Sequence, residues 1–138
     1  MTKQEIFDKV LAHLRQQRVA SETASGCAYR GEQGRTCAVG CLIPDAEYTP
    51  EMEGTAIGAI LENGTARFTI YQPSTTPRPV LLSLGQHAVL LADLQSAHDR
   101  TMPDCWGDTM LAWEQAMAAI AARHKLKYTP LPRQETPA

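Results

Sequence analysis

The sequence predicts an α+β domain that is mainly helical, with three to four helices carrying a small β-hairpin. The prediction comes from four stretches in which apolar residues recur at the helical period and two short runs with strand character, set in an ordinary globular composition of 43% hydrophobic and 20% charged residues. A chain of 138 residues is long enough to bury one core but not two. We therefore read residues 1–127 as a single globular domain and 128–138, which contains Pro130, Pro132 and Pro137, as a C-terminal tail.

Thr2, with Glu5 three positions on, has the form of a capping box, and Ile6, Phe7, Val10, Leu11 and Leu14 follow on one helical face. The first helix is thus expected from residue 3 to about 18. From Gly26 to Gly40, two short runs flank Gly31-Glu32-Gln33-Gly34, the spacing of a hairpin. Pairing of Arg30 with Gly34 sets Cys27 opposite Cys37, a slip of one residue turns the two cysteines apart, and a helical turn starting near Cys37 instead places Cys37 and Cys41 on one face. These alternatives stay open at the level of sequence.

Thr49-Pro50, a cap followed by proline at the first helical position, predicts a second helix to about Gly64, with Met52, Ala56, Ile57, Ile60 and Leu61 apolar. Phe68 and Ile70 alternate with Arg67, Thr69 and Tyr71 as a short strand, and Pro73, Pro77 and Pro79 predict an extended loop. A third helix is expected from about Gly85 to Arg100. The fourth carries the stripe Trp106, Met110, Trp113, Met117, Ile120 and His124, which reads as core.

Thirteen basic against fifteen acidic residues, a formal charge of −2, leave no basic footprint for nucleic acid, which is not a favoured partner. The opening Met1-Thr2-Lys3-Gln4-Glu5 is not a signal peptide and no run reaches membrane-spanning length, so a cytoplasmic protein without a membrane partner is expected. In that compartment its four cysteines read as free thiols or ligands, not as a disulfide framework.

Cys27, Cys37 and Cys41, joined by His98, Cys105 or His124, would offer zinc four soft or imidazole ligands. Yet nine residues separate the first two cysteines and three the next two, unlike the paired ligands of zinc modules. Packing cysteines and no cofactor are the primary expectation, with a zinc site on Cys27, Cys37, Cys41 and His98 as the alternative. A second alternative is a thiol enzyme, with Cys37 or Cys41 as nucleophile, His98 as base and Asp99 or Asp45 orienting it, but the order and spacing match no cysteine-protease signature. We expect no catalytic residues. Tyr29, Arg30 and Arg35 are residue types favoured in binding hot spots and are the candidate partner contacts. The carboxylates at Asp45, Glu47, Glu51 and Glu53 read as helix N-terminal charges, not as an acid–base pair.

Cys27-Ala28-Tyr29-Arg30, then Cys37-Ala38-Val39-Gly40-Cys41-Leu42-Ile43-Pro44-Asp45, then Tyr48, Pro50 and Glu53-Gly54, together with Leu94-Gln95, His98-Asp99 and the later tryptophan helix, resemble a group of uncharacterised small proteins of tailed bacteriophages and prophages. The resemblance covers most of the chain and departs most over residues 65–79. It implies a phage or prophage origin and carries over no catalytic or ligand residue. Accessory proteins of this kind commonly act on a host macromolecule, so the resemblance implies a non-enzymatic protein of the host bacterial cytoplasm that binds a host protein or complex. An inhibitor of a defence system such as CRISPR–Cas is one form this would take.

Overall fold

A computed structural model describes residues 1–23, 26–53, 61–62, 65–66, 79–101 and 110–131. Helix α1 spans Lys3–Gln17. Its capping box is formed, with the Glu5 N–H donating to Thr2 Oγ1 and the Thr2 N–H to Glu5 Oε1, and it stops at Arg18 in the left-handed conformation. Ile6, Phe7, Val10 and Leu14 are fully buried. Burial of side chains of this size is worth about 1.5–3 kcal/mol each before chain entropy is counted.

A short helix, α2 (Pro79–Leu84), runs through a single 3-10 turn, Gly85–His87, into α3 (Ala88–Thr101), so helical structure begins six residues before the expected start at Gly85. Pro79 sits at the first helical position, where its missing N–H costs nothing. The buried Glu47 carboxylate accepts from the next two donors, Val80 N–H (3.0 Å) and Leu81 N–H (3.1 Å). A carboxylate more than thirty residues away thus caps α2, where the sequence offers only a proline-rich loop. Helix α4 (Leu111–His124) buries Trp113, Met117 and Ile120 with Met110 just before it, and makes its most extensive helix contact with α3. Trp106, and so any earlier start of this helix, lies outside the described residues.

Packing continues past α4. Arg15 donates from Nε and Nη2 to the Glu114 carboxylate (2.7 and 2.9 Å) and from Nη2 to Thr129 O (2.9 Å), while the Tyr128 hydroxyl donates to Glu114 (2.5 Å). This cluster fastens residues 128–129 to α1.

The α+β class with a packed β-hairpin is overturned. The protein is helical, and among the described residues strand pairing is confined to two antiparallel ladders of two residues each. These are β1 (Glu22–Thr23) with β2 (Gly26–Cys27), and β3 (Leu61–Glu62) with β4 (Thr65–Ala66). At the expected hairpin there is a single bridge, Arg30 to Thr36, around a 3-10 turn at Glu32–Gly34. The ladder stops there because its donors are spent elsewhere. The Tyr29 and Arg30 N–H groups donate to the Glu53 carboxylate (2.7 and 3.2 Å). On the other side the chain winds into helical turns at Cys37–Ile43, with Cys41 N–H on Cys37 O (3.1 Å). Of the alternatives left open by the sequence, the helical turn is the one that forms.

The start and the end of the second expected helix are corrected as well, while its residues 54–60 lie outside the described residues. Pro50–Met52 is a 3-10 turn and Glu53 is extended, with ψ 139, so the turn opened by Thr49-Pro50 stops there. Glu53 is drawn away from a helical path by the two N–H groups it accepts. Leu61 and Glu62, assigned to the end of that helix, pair as strand. The expected strand at 67–71 lies outside the described residues.

Candidate functional site

The described residues between Ser21 and Glu53 form a scaffolded loop region packed on α1 and α3. On the α1 side, His13 and Gln17 stand one turn apart and hold Thr36. The Gln17 side-chain amide bonds both backbone groups of that residue, accepting from Thr36 N–H (3.0 Å) and donating to Thr36 O (2.9 Å), and His13 Nε2 lies 2.7 Å from Thr36 Oγ1. From α3, Gln95 Oε1 accepts the Val39 N–H (3.1 Å) and its amide donates to Asp99 (2.8 Å). Asp99 also meets His98 Nδ1 at 2.8 Å, and His98 Nε2 accepts the Ser21 N–H at 3.0 Å. Because a backbone N–H can only donate, the His98 proton sits on Nδ1, facing Asp99. Ser21 Oγ then donates to Arg35 O (3.2 Å). Through this chain the buried His98 positions the loop backbone.

Arg30 is held from several directions. Its backbone is fixed by Glu53, its guanidinium carbon lies 4.2 Å from the Tyr48 ring centroid, and Nη2 donates to Ile43 O (3.2 Å) and to Asp45 Oδ1 (2.7 Å). The Tyr48 hydroxyl in turn donates to Glu53 (3.2 Å), so the ring that supports the cation is fixed by the carboxylate that fixes its backbone. Beside this cluster opens a cavity of about 450 Å³, lined by His13, Arg30, Arg35, Thr36, Cys41 and Asp45 with three glycines in its walls. Gly40 is required by close approach, since a Cβ there would lie 2.0 Å from the Tyr29 carbonyl oxygen. Gly34, at φ 73, follows Gln33 at φ 60 in the tight turn at the tip, where glycine is the residue that adopts this conformation without strain.

Of the candidate partner contacts, Arg30 and Arg35 line the cavity. Tyr29 does not line it. It is buried in the core, where loss of water raises the pKa of its hydroxyl above the ordinary value. The cysteines proposed as ligands or nucleophile are separately engaged. Cys37 is fully buried and its Sγ accepts the Gly40 N–H (3.2 Å); Cys41, half-buried on the cavity wall, donates its thiol proton to Ala38 O (3.1 Å). Burial pushes both thiols up to about 12, so at neutral pH they are protonated. Cys27 contributes backbone to β2, and nothing is described of its side chain. Among the described residues no three His, Cys, Asp or Glu side chains gather as a metal-ligand group. His98, offered as base or ligand, has both ring nitrogens committed to Ser21 and Asp99. Asp45, offered as an orienting carboxylate, sits on Arg30 instead.

Reading the sequence for chemistry passed over His13, Gln17 and Gln95, which hold the loop. The signal of His13 and Gln17 was polar residues at i, i+4 on one side of α1, a pattern equally consistent with a solvated face, as is a lone Gln95 on α3. Among the described residues, no helix is long and apolar enough to cross a membrane. Comparison with protein-family models, with curated proteins and with solved structures finds no match.

Proposed function

We propose that this chain is a small binding protein of phage or prophage origin that works in the host bacterial cytoplasm by engaging a host protein or protein complex. Inhibition of a defence system such as CRISPR–Cas is the form of activity the resemblance suggests. The observation that carries the binding reading is Arg30, a cation anchored by Glu53, Tyr48 and Ile43 at the edge of an open cavity that also holds Arg35. An arginine fixed before contact gives up little side-chain freedom on binding, which favours it as a hot spot. The protonated thiols and the committed His98 favour binding over thiol chemistry at this site.

The test is affinity capture from host lysate with the tagged chain, followed by binding of the purified captured protein to the parent and to Arg30→Gln and Arg35→Gln. We expect the host protein to bind the parent directly and both substitutions to weaken binding tenfold or more, while Lys3→Gln on the far end of α1 leaves it unchanged. A captured protein that binds all four chains equally would remove the cavity from the account. Failure of any host protein to bind the parent would remove the binding reading itself.

A further inference from the structure

We infer that Asp45 is an internal stand-in for the partner, and that the partner's recognition element is a carboxylate side chain that takes the place of Asp45 on Arg30 and gains Arg35; this rests on the binding reading above. The Arg30–Asp45 pair is asymmetric. The Asp45 side chain is 96% exposed, against 30% for that of Arg30, although their N···O distance is 2.7 Å. Arg15 and Glu114 show what a structural pair looks like in this fold, for both are largely buried (18% and 13% exposed) and Tyr128 adds a third hydrogen bond. Among the described residues nothing comparable holds Asp45 in place, whereas Arg30 keeps Tyr48, Ile43 and Glu53 if Asp45 swings away. The cation is fixed and its anion is loosely held.

The rest of the cavity suits the same ligand. Arg35 donates from Nη2 to the neutral Gln33 amide (3.0 Å), and among the described residues no carboxylate is paired with it. The Cys41 wall is uncharged because its thiol is protonated, and Lys9 of α1 adds positive potential there. The donors favour a singly charged carboxylate over a phosphate. The anion that Arg30 already holds is itself a carboxylate, that of Asp45, met through Nη2 while the same nitrogen donates to Ile43 O, so a ligand of the same shape and charge fits the site without rearrangement.

Titration of the ¹⁵N-labelled chain with a hexaglutamate peptide tests this, with Asp45→Asn, Arg30→Gln and Arg35→Gln run alongside and their melting checked by circular dichroism. We expect amide shifts confined to residues 30–45, binding by Asp45→Asn about two- to fivefold tighter than by the parent because a surface-strength competitor is gone, and loss of binding in Arg35→Gln, whose fold does not depend on the exchanged group. Inorganic phosphate at matched ionic strength should leave the same amides unmoved. Equal or weaker binding by Asp45→Asn, shifts elsewhere, or an equal response to phosphate would each overturn the inference. With a captured host protein in place of the peptide, the two readings separate. Binding to the parent without tightening by Asp45→Asn sinks the inference alone, and no binding to the parent sinks the functional reading.

Discussion

Gly40→Ala is the smallest substitution that attacks the scaffold of the cavity. The added Cβ would lie 2.0 Å from Tyr29 O and 2.8 Å from Tyr29 C, both backbone atoms with no rotamer to escape into. An ordinary carbon–oxygen contact is over 3 Å, so one backbone segment must retreat by about 1 Å or more. Tyr29 cannot retreat freely, because its carbonyl accepts the Cys37 N–H at 3.3 Å and its N–H is bound to Glu53 at 2.7 Å. Overpacking costs about 1–3 kcal/mol, and the loss of a buried backbone hydrogen bond adds about 1 kcal/mol, giving roughly 2–4 kcal/mol. For a chain of 138 residues each kcal/mol lowers Tm by about 3–5 °C, so a fall of about 6–20 °C is expected. Urea unfolding followed by tryptophan fluorescence and far-ultraviolet circular dichroism measures it. Gly34→Ala is the companion, since a Cβ there meets open space and its cost, about 1 kcal/mol, comes only from the left-handed backbone. Gly40→Ala within 0.5 kcal/mol of the parent, on the order of an ordinary surface substitution, would refute the close approach and the loop geometry built on it.

Glu114 gives a pH prediction. Burial pushes its pKa up, but the hydrogen bonds from Arg15 and Tyr128 outweigh that and hold the folded carboxyl below its ordinary value. A depressed folded value contributes stability that is present above the unfolded value and lost as the pH falls through the folded one, so stability should drop below about pH 4.5, less steeply in Glu114→Gln than in the parent, as read by urea midpoints across pH. Trp113→Ala, at a fully buried position on α4, should cost about 3–5 kcal/mol, and a parent-like urea midpoint would contradict its place in the core. His98→Ala should leave the buried Ser21 N–H without its acceptor and cost about 2–4 kcal/mol, with amide shifts running from Ser21 to Arg35. Peptide mapping after alkylation at pH 7.5 should find Cys37 and Cys41 slower than an exposed thiol by on the order of a thousandfold, and a chelator should leave Tm unchanged. Stoichiometric zinc after purification without added metal would contradict the last expectation.

The helices were legible where they obey local rules. The Thr2–Glu5 box and the Ile6, Phe7, Val10, Leu11, Leu14 stripe set α1, and the Trp113, Met117, Ile120 stripe set α4, because capping and amphipathic burial are written within a few residues. What failed was decided by distant groups. Thr49-Pro50 has the form of a helix start, yet Glu53 three residues later is claimed by the Tyr29 and Arg30 N–H groups. The same two bonds end the hairpin ladder, so one carboxylate accounts both for the short ladder and for the single turn at Pro50–Met52. Glu47 is the mirror case: it is a helix-terminal charge as its type suggests, but it serves α2 and not the nearest helix, and so starts α2 at Pro79 where prolines had argued for a loop. In the candidate site, Arg30 and Arg35 were legible from residue type and position in the turn. Tyr29 is buried and does not line the cavity, and a tyrosine next to a half-buried arginine carries no sequence mark for burial.

The most direct test of the central claim is hydrogen–deuterium exchange of this chain, free and bound to its captured host protein. The account expects new protection over residues 30–45 with α3 and α4 unchanged. Protection centred on α3 or α4, with residues 30–45 exchanging as in the free chain, would contradict it.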